Sequence, residues 1–232
     1  MVSAKTKQKI LQTFLDLLCA HPYEDVSLPM IAEAAKVKLS DMRAAYGSRR
    51  DLVAAFAETV DTEVLDARDE DMADQPPRDR LFDVLMTRID ALGKNRDAVR
   101  ALYAAARRDP ALALEFNQIE VKSQRWMLIA AGIEASGFKA GMISQGLAVA
   151  FARVVDVWLG EEDEGMPRTM AALDKELDRG SSFMQRLNGL ERAAKGFRSF
   201  LNRASERRRG RRARDRDDVD EANVTGDAPA RA

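Results

Sequence analysis

Apolar residues recur along this chain at intervals of three and four, and nowhere alternate with polar ones over a strand's length. Residues Ser3 to Ala20 place Ile10, Phe14, Leu17 and Leu18 on one side, with Lys5, Lys7, Lys9, Gln12 and Asp16 elsewhere. That spacing predicts an amphipathic helix, which Pro22 ends. Two short patterns follow. Ser27 can cap the first, Pro29 fits its first turn, and Leu28, Ile31, Ala32 and Ala35 share a face. The second runs through Leu39, Met42 and Tyr46 to Gly47, a residue able to take the left-handed conformation that ends a helix. From Ser48 a longer helix continues through Leu52, Phe56, Val60, Val64 and Leu65.

Gln75, Pro76 and Pro77 break the pattern, and a helix carrying Leu81, Phe82, Leu85, Met86, Ile89 and Leu92 runs to Gly93. Arg96 to Arg108 reads as another helix, and a longer one extends from Leu112 through Trp126 and Ile129 to Gly137. Ala140 to Leu159 is strongly apolar; an acidic turn separates it from a helix opened by Pro167. From Phe183 the residues Leu187, Leu190, Ala194, Phe197 and Leu201 form an apolar stripe among arginines, a cationic amphipathic helix. Beyond it Arg207 to Arg214 is nearly all arginine and Asp215 to Glu221 nearly all acidic, a composition that predicts disorder.

Two short helices meeting at a tight turn form the helix-turn-helix plan, whose second helix enters a DNA major groove. The stretch Thr6 to Leu52 resembles the TetR-type transcriptional regulators, through Ile10, Leu11, Tyr23, Ser27, Ile31, Ala32, Ala35, Val37, Met42, Tyr46, Gly47, Ser48, Arg49 and Leu52. The resemblance implies an all-α chain: a three-helix helix-turn-helix DNA-binding domain over residues 1–50, then a helical ligand-binding and dimerisation bundle over 51–202. Residues 203–232 form the tail. The chain departs from the family's pattern at Lys36, where a turn glycine is usual, and at Lys38, where a capping serine is usual. Arg43 replaces a phosphate-contacting tyrosine, and Asp41 a small or hydroxylated residue.

For DNA, the groove-facing candidates are Lys38, Ser40, Asp41, Arg43 and Ala45; Arg43 carries the planar fork that matches guanine O6 and N7. The family's pattern puts Ser27, Tyr46 and Arg49 at the phosphate backbone. From Met1 to Leu52 the cations exceed the anions by only two, so affinity depends on their placement and on two copies of the module. The apolar helices near 140–177 suit a paired interface with a second copy, with Phe151, Val155, Trp158, Leu159, Met170, Leu173 and Leu177 as candidates; the resemblance implies the same homodimer. A pocket in the bundle would be lined by Phe82, Met86, Tyr103, Phe116, Ile119, Trp126 and Phe151, and its effector would be largely apolar. The functional expectation is a ligand-responsive dimeric repressor binding a double-stranded operator. The alternative is a lipid-binding or membrane-associated protein of the same fold with weakened or lost DNA binding. Its motive is the cationic segment after Phe183, and the stretch Val157 to Leu177 resembles part of the lipid-binding proteins of ubiquinone biosynthesis.

Composition adds exclusions. With 46% hydrophobic and 32% charged residues and a net charge of -1, the 232-residue chain fits a helical protein with a sizeable core. The single cysteine, Cys19, reads as a small buried hydrophobe in a reducing compartment, and no signal-peptide pattern or membrane-length apolar run is evident, so a cytoplasmic location is expected. The only histidine, His21, has no triad or metal partners, and no phosphate loop, CxxC or HExxH occurs. The chain is expected to be no enzyme and to hold no cofactor or metal.

Overall fold

Helix α1 (Ala4–Ala20) begins where Ser3 accepts the Thr6 N–H, and its stripe of Ile10, Phe14 and Leu18 is buried. The computed structural model describes residues 2–182, so the cationic helix from Phe183 and the tail over 203–232 lie outside the described residues. Helix α2 (Leu28–Ala34) is capped by Ser27, which accepts the Met30 N–H at 3.3 Å, and it buries Ile31 and Ala32. Helix α3 (Leu39–Ala45) buries Met42 alone. These side chains, with Tyr23, Val26, Ala35 and Leu52, make the small core of the first helices.

The turn between α2 and α3 shows what replaces the usual glycine. Lys36 has φ 54°, in the left-handed region, its N–H bonds to the Glu33 carbonyl, and the Val37 N–H reaches the Ala32 carbonyl at 3.0 Å. This is a Schellman ending with lysine in the position where a Cβ is strained. Lys36→Gly is expected to raise stability by about 0.5–1 kcal/mol, the relief of strain less the entropy that glycine loses on folding. The denaturant midpoint of the two proteins measures it; an unchanged or lower midpoint for the variant contradicts the strain argument.

Gly47 behaves differently from expectation. The chain leaves α3 through Tyr46 in an extended conformation (φ -144°), and among the described glycines only Gly132 and Gly137 are left-handed. Gly47 instead gives its N–H to Asp51 at 2.9 Å, while the Asp51 N–H bonds to Ser48 Oγ at 3.2 Å. That reciprocal cap starts helix α4 (Arg49–Asp66) directly after the turn. A Cβ on residue 47 would lie 3.2 Å from the Asp51 carboxylate, which gives the glycine its reason.

A 3-10 turn (Glu70–Asp74) leads to α5 (Pro77–Gly93), α6 (Arg96–Arg108), α7 (Pro110–Ala130) and α8 (Gly137–Leu159), followed by a helix over residues 167–182, α9. Helix α7 stops seven residues before Gly137, the end expected from the sequence. Gly132 (φ 65°) closes it with a second Schellman pair, Gly132 N–H to Ile129 and Ile133 N–H to Leu128. The Arg80 guanidinium holds that end in place, donating to the Ala131 carbonyl at 2.7 Å and to Ala73 and Gln75 on the opposite side.

Helices α4 and α8 both pack on α7. Helix α8 is, contrary to the sequence expectation, long and apolar enough to cross a membrane. Its Phe151, Val154 and Trp158 are buried against the rest of the chain, which assigns that apolar face to the core. Cys19 is likewise exposed rather than buried, its thiol donating to the Leu15 carbonyl. Residues 1–180 form one compact unit, and the boundary expected at residue 50 falls inside α4, which is common to the small core and the bundle.

Candidate nucleic-acid interface and bundle cavity

Because α3 buries only Met42, its other faces are open. Lys38, Ser40, Arg43 and Ala44 are exposed, as is Leu39 at 58%. Lys38, Ser40 and Arg43 have no side-chain partner among the described residues, so their donors are available. Lys38 occupies the N-cap without a side-chain bond to the helix. Asp41 is half-buried in the first turn, where the positive end of the helix dipole favours a carboxylate.

Three expected contacts are placed otherwise. Ala45 follows Met42 by nearly one turn and packs on the core, while Ala44 and Leu39, absent from the expected set, share the open surface. Arg49 turns inward: its Nη1 donates to the carbonyls of Tyr23 (2.5 Å), Glu24 (3.2 Å) and Val26 (3.2 Å), and its guanidinium lies 4.4 Å above the Tyr23 ring. Those carbonyls belong to the α1–α2 connection and need a donor, so Arg49 pins that loop rather than a phosphate. Tyr46 is half-buried, its hydroxyl donating to the Lys7 carbonyl at 3.3 Å and so tying α3 to α1. Ser27 is exposed, its hydroxyl engaged as the α2 cap.

Arg49→Ala is therefore expected to destabilise the protein by about 2 kcal/mol, the loss of charge-assisted bonds to half-buried carbonyls. Urea unfolding measures this; a variant of unchanged stability would contradict the inward assignment.

Between α4, α5, α6, α7 and α8 lies a cavity of about 730 Å³. Tyr103, Phe116, Ile119 and Phe151 line it as expected, whereas Phe82 and Met86 do not reach it and Trp126 is 46% exposed on the outer surface. The sequence reading missed Val53, Phe56 and Ala57 from α4, and Arg88, because neither a long helix nor a lone arginine marks a pocket in sequence. Burial raises the Tyr103 phenol above its ordinary value, so it remains a donor, and it bonds the Ala152 carbonyl.

The inner end of the cavity is polar. The Arg88 side chain, 2% exposed, donates to Asp61 and to Glu120 (3.3 Å) and lies 5.5 Å from the Phe151 ring. Ser123 also donates to Asp61, and Gln124 donates to Glu120 at 2.6 Å. The network joins α4, α5 and α7.

The expected dimer set is corrected as well. Phe151, Val155, Trp158, Leu173 and Leu177 are buried within one chain, so they are core and offer a second copy no surface. Leu159 is half-buried, and Met170 is exposed. The apolar positions left open on α8 are Phe138, at 85% exposure, and Val149 three turns further on the same face.

No family model matches the sequence, and no curated protein resembles it at the sequence level. The fold is shared with solved structures. The chain is similar to a TetR transcriptional regulator from Nitrosomonas europaea, at 19% identity and a TM-score of 0.59, over 75% of this chain and 97% of that one. A TetR transcriptional regulator from Rhodococcus sp. RHA1 is similar at 16% identity and a TM-score of 0.56, over 76% and 96% of the respective chains. The fold is the all-α fold of TetR-type regulators, with an N-terminal helix-turn-helix.

Proposed function

We propose that a chain with this fold is a DNA-binding transcriptional regulator, a dimeric cytoplasmic repressor released from its operator by a largely apolar ligand. The observation that carries the reading is the open face of α3. Lys38, Ser40 and Arg43 project without partners among the described residues, on a helix anchored through Met42. A helix held by one side and studded with free donors on the other fits groove reading. Leu39 and Ala44 add apolar surface suited to thymine methyl groups.

One module of small net positive charge binds weakly, so the reading requires two copies. The second copy is assigned to the open faces of α8 and α9, at Phe138, Val149 and Met170. Phe138→Asp with Met170→Asp is expected to yield a monomer in sedimentation equilibrium while the helical circular dichroism is retained. A dimer of unchanged affinity in the variant removes that surface.

The experiment that tests the whole reading is genome-wide mapping of bound DNA, followed by binding to the recovered sites across a salt series. A regulator gives a few sites with a shared, two-fold related sequence. Uniform weak binding, or none, overturns the proposal.

A further inference from the structure

We infer that the bundle cavity selects an uncharged ligand, an apolar body bearing one hydrogen-bond acceptor, and rejects carboxylates. This rests on the ligand-binding part of the proposed function and specifies its chemistry.

Walls such as Phe56, Phe116, Ile119 and Phe151 accept an apolar body. The selective element is Arg88. An arginine in a cavity usually reads as a countercharge for an acid, but here both of its Nη atoms are engaged by carboxylates, Asp61 and Glu120. One guanidinium against two carboxylates leaves that end formally negative. Glu120, with 27% of its side chain exposed, itself lines the cavity. The buried Arg88 Nε is the one nitrogen of the guanidinium with no partner among the described residues. An unpartnered nitrogen donor in a buried place is stabilised by an acceptor, and a neutral hydroxyl, ether or carbonyl supplies one. A carboxylate brought to the same atom would lie beside two others in a medium of low dielectric. An ammonium would have to compete with Arg88 for Glu120.

The open end changes this balance little. Arg107 is paired with Asp156 at 2.9 Å, Arg153 shares Glu176 with Arg179, and the Arg107 and Arg153 side chains are 67% and 62% exposed, so water screens the charge they present to an acid.

The test uses the full chain and two matched probe series, 1-decanol, decanoate and decylamine, and 1-naphthalenemethanol, 1-naphthoate and 1-naphthylmethylamine, in calorimetry and thermal shift. In the wild type the alcohol of at least one series is expected to bind, with its acid and amine weaker by about tenfold or more. In Glu120→Gln, which keeps an acceptor for Arg88, the acid is expected to gain about tenfold while the alcohol changes by less than about threefold. A wild type that binds acid or amine as tightly as alcohol overturns the charge rule and leaves ligand binding standing. So does a Glu120→Gln variant, folded by its circular dichroism, with an unchanged acid-to-alcohol ratio. Should the variant not fold, the wild-type ranking alone decides. Absence of binding by all six probes overturns the rule and the ligand reading together.

Discussion

Replacing Arg88 with methionine is expected to lower the stability of the protein by about 3–5 kcal/mol, the cost of leaving a buried carboxylate without its cation. Asp61 is the residue at risk: it is almost wholly buried and its remaining partner is the Ser123 hydroxyl. Glu120 reaches solvent and can be rehydrated, so it contributes less. Removing the charge from both sides is expected to recover much of the loss, because an apolar pair of similar volume suits the surroundings of Phe151. Urea unfolding of Arg88→Met, Asp61→Leu and the double variant measures each arm of the cycle. A double variant as unstable as the sum of the singles would show that the network is not the coupled unit described.

The second large effect is on DNA. Lys38→Ala combined with Arg43→Ala is expected to weaken operator binding by about a thousandfold, about 4 kcal/mol. A dimer loses four cations, each worth about 1 kcal/mol at a phosphate or somewhat more at guanine. The same change should reduce the salt dependence by about one unit for each phosphate contact removed. Both side chains are exposed and unpartnered among the described residues, so the unfolding midpoint should stay within about 0.5 kcal/mol of the wild type. Fluorescence anisotropy on a mapped site reads the first effect and denaturation the second. Operator affinity within about threefold of the wild type would remove the groove-reading assignment of α3.

The helical plan was legible because its signals are local. Ser27 caps its helix as expected, the helices expected to start at Ser3 and Ser48 do so with those serines as caps, and Arg96 to Arg108 begins and ends as the pattern requires. Misplaced boundaries came from glycine: Gly47 and Gly137 both read as helix ends, but Gly47 is not left-handed, α7 closes earlier at Gly132, and the residue that ends α2 in that conformation is a lysine.

The sites were less legible, since they depend on which face of a helix finds a neighbour. Arg49 and Arg43 are both arginines beside the turn, yet one meets three carbonyls and a tyrosine ring while the other meets solvent. Nothing in the local pattern separates them. The same holds for Leu173 and Met170, one turn apart on α9 and on opposite sides of the boundary between core and surface.

Helix α4 has 18 residues and a length of about 27 Å. Its first turn anchors the small core through Leu52, its middle forms a cavity wall through Val53, Phe56 and Ala57, and Asp61 is fastened to Arg88. It is therefore a rigid rod clamped at one end and pressed along its shaft. With Asp61 as fulcrum, a tilt of about 5° would carry the Arg49 tip, about 18 Å away, through roughly 1.6 Å, the scale on which a change in the chamber would alter the aim of the short helices.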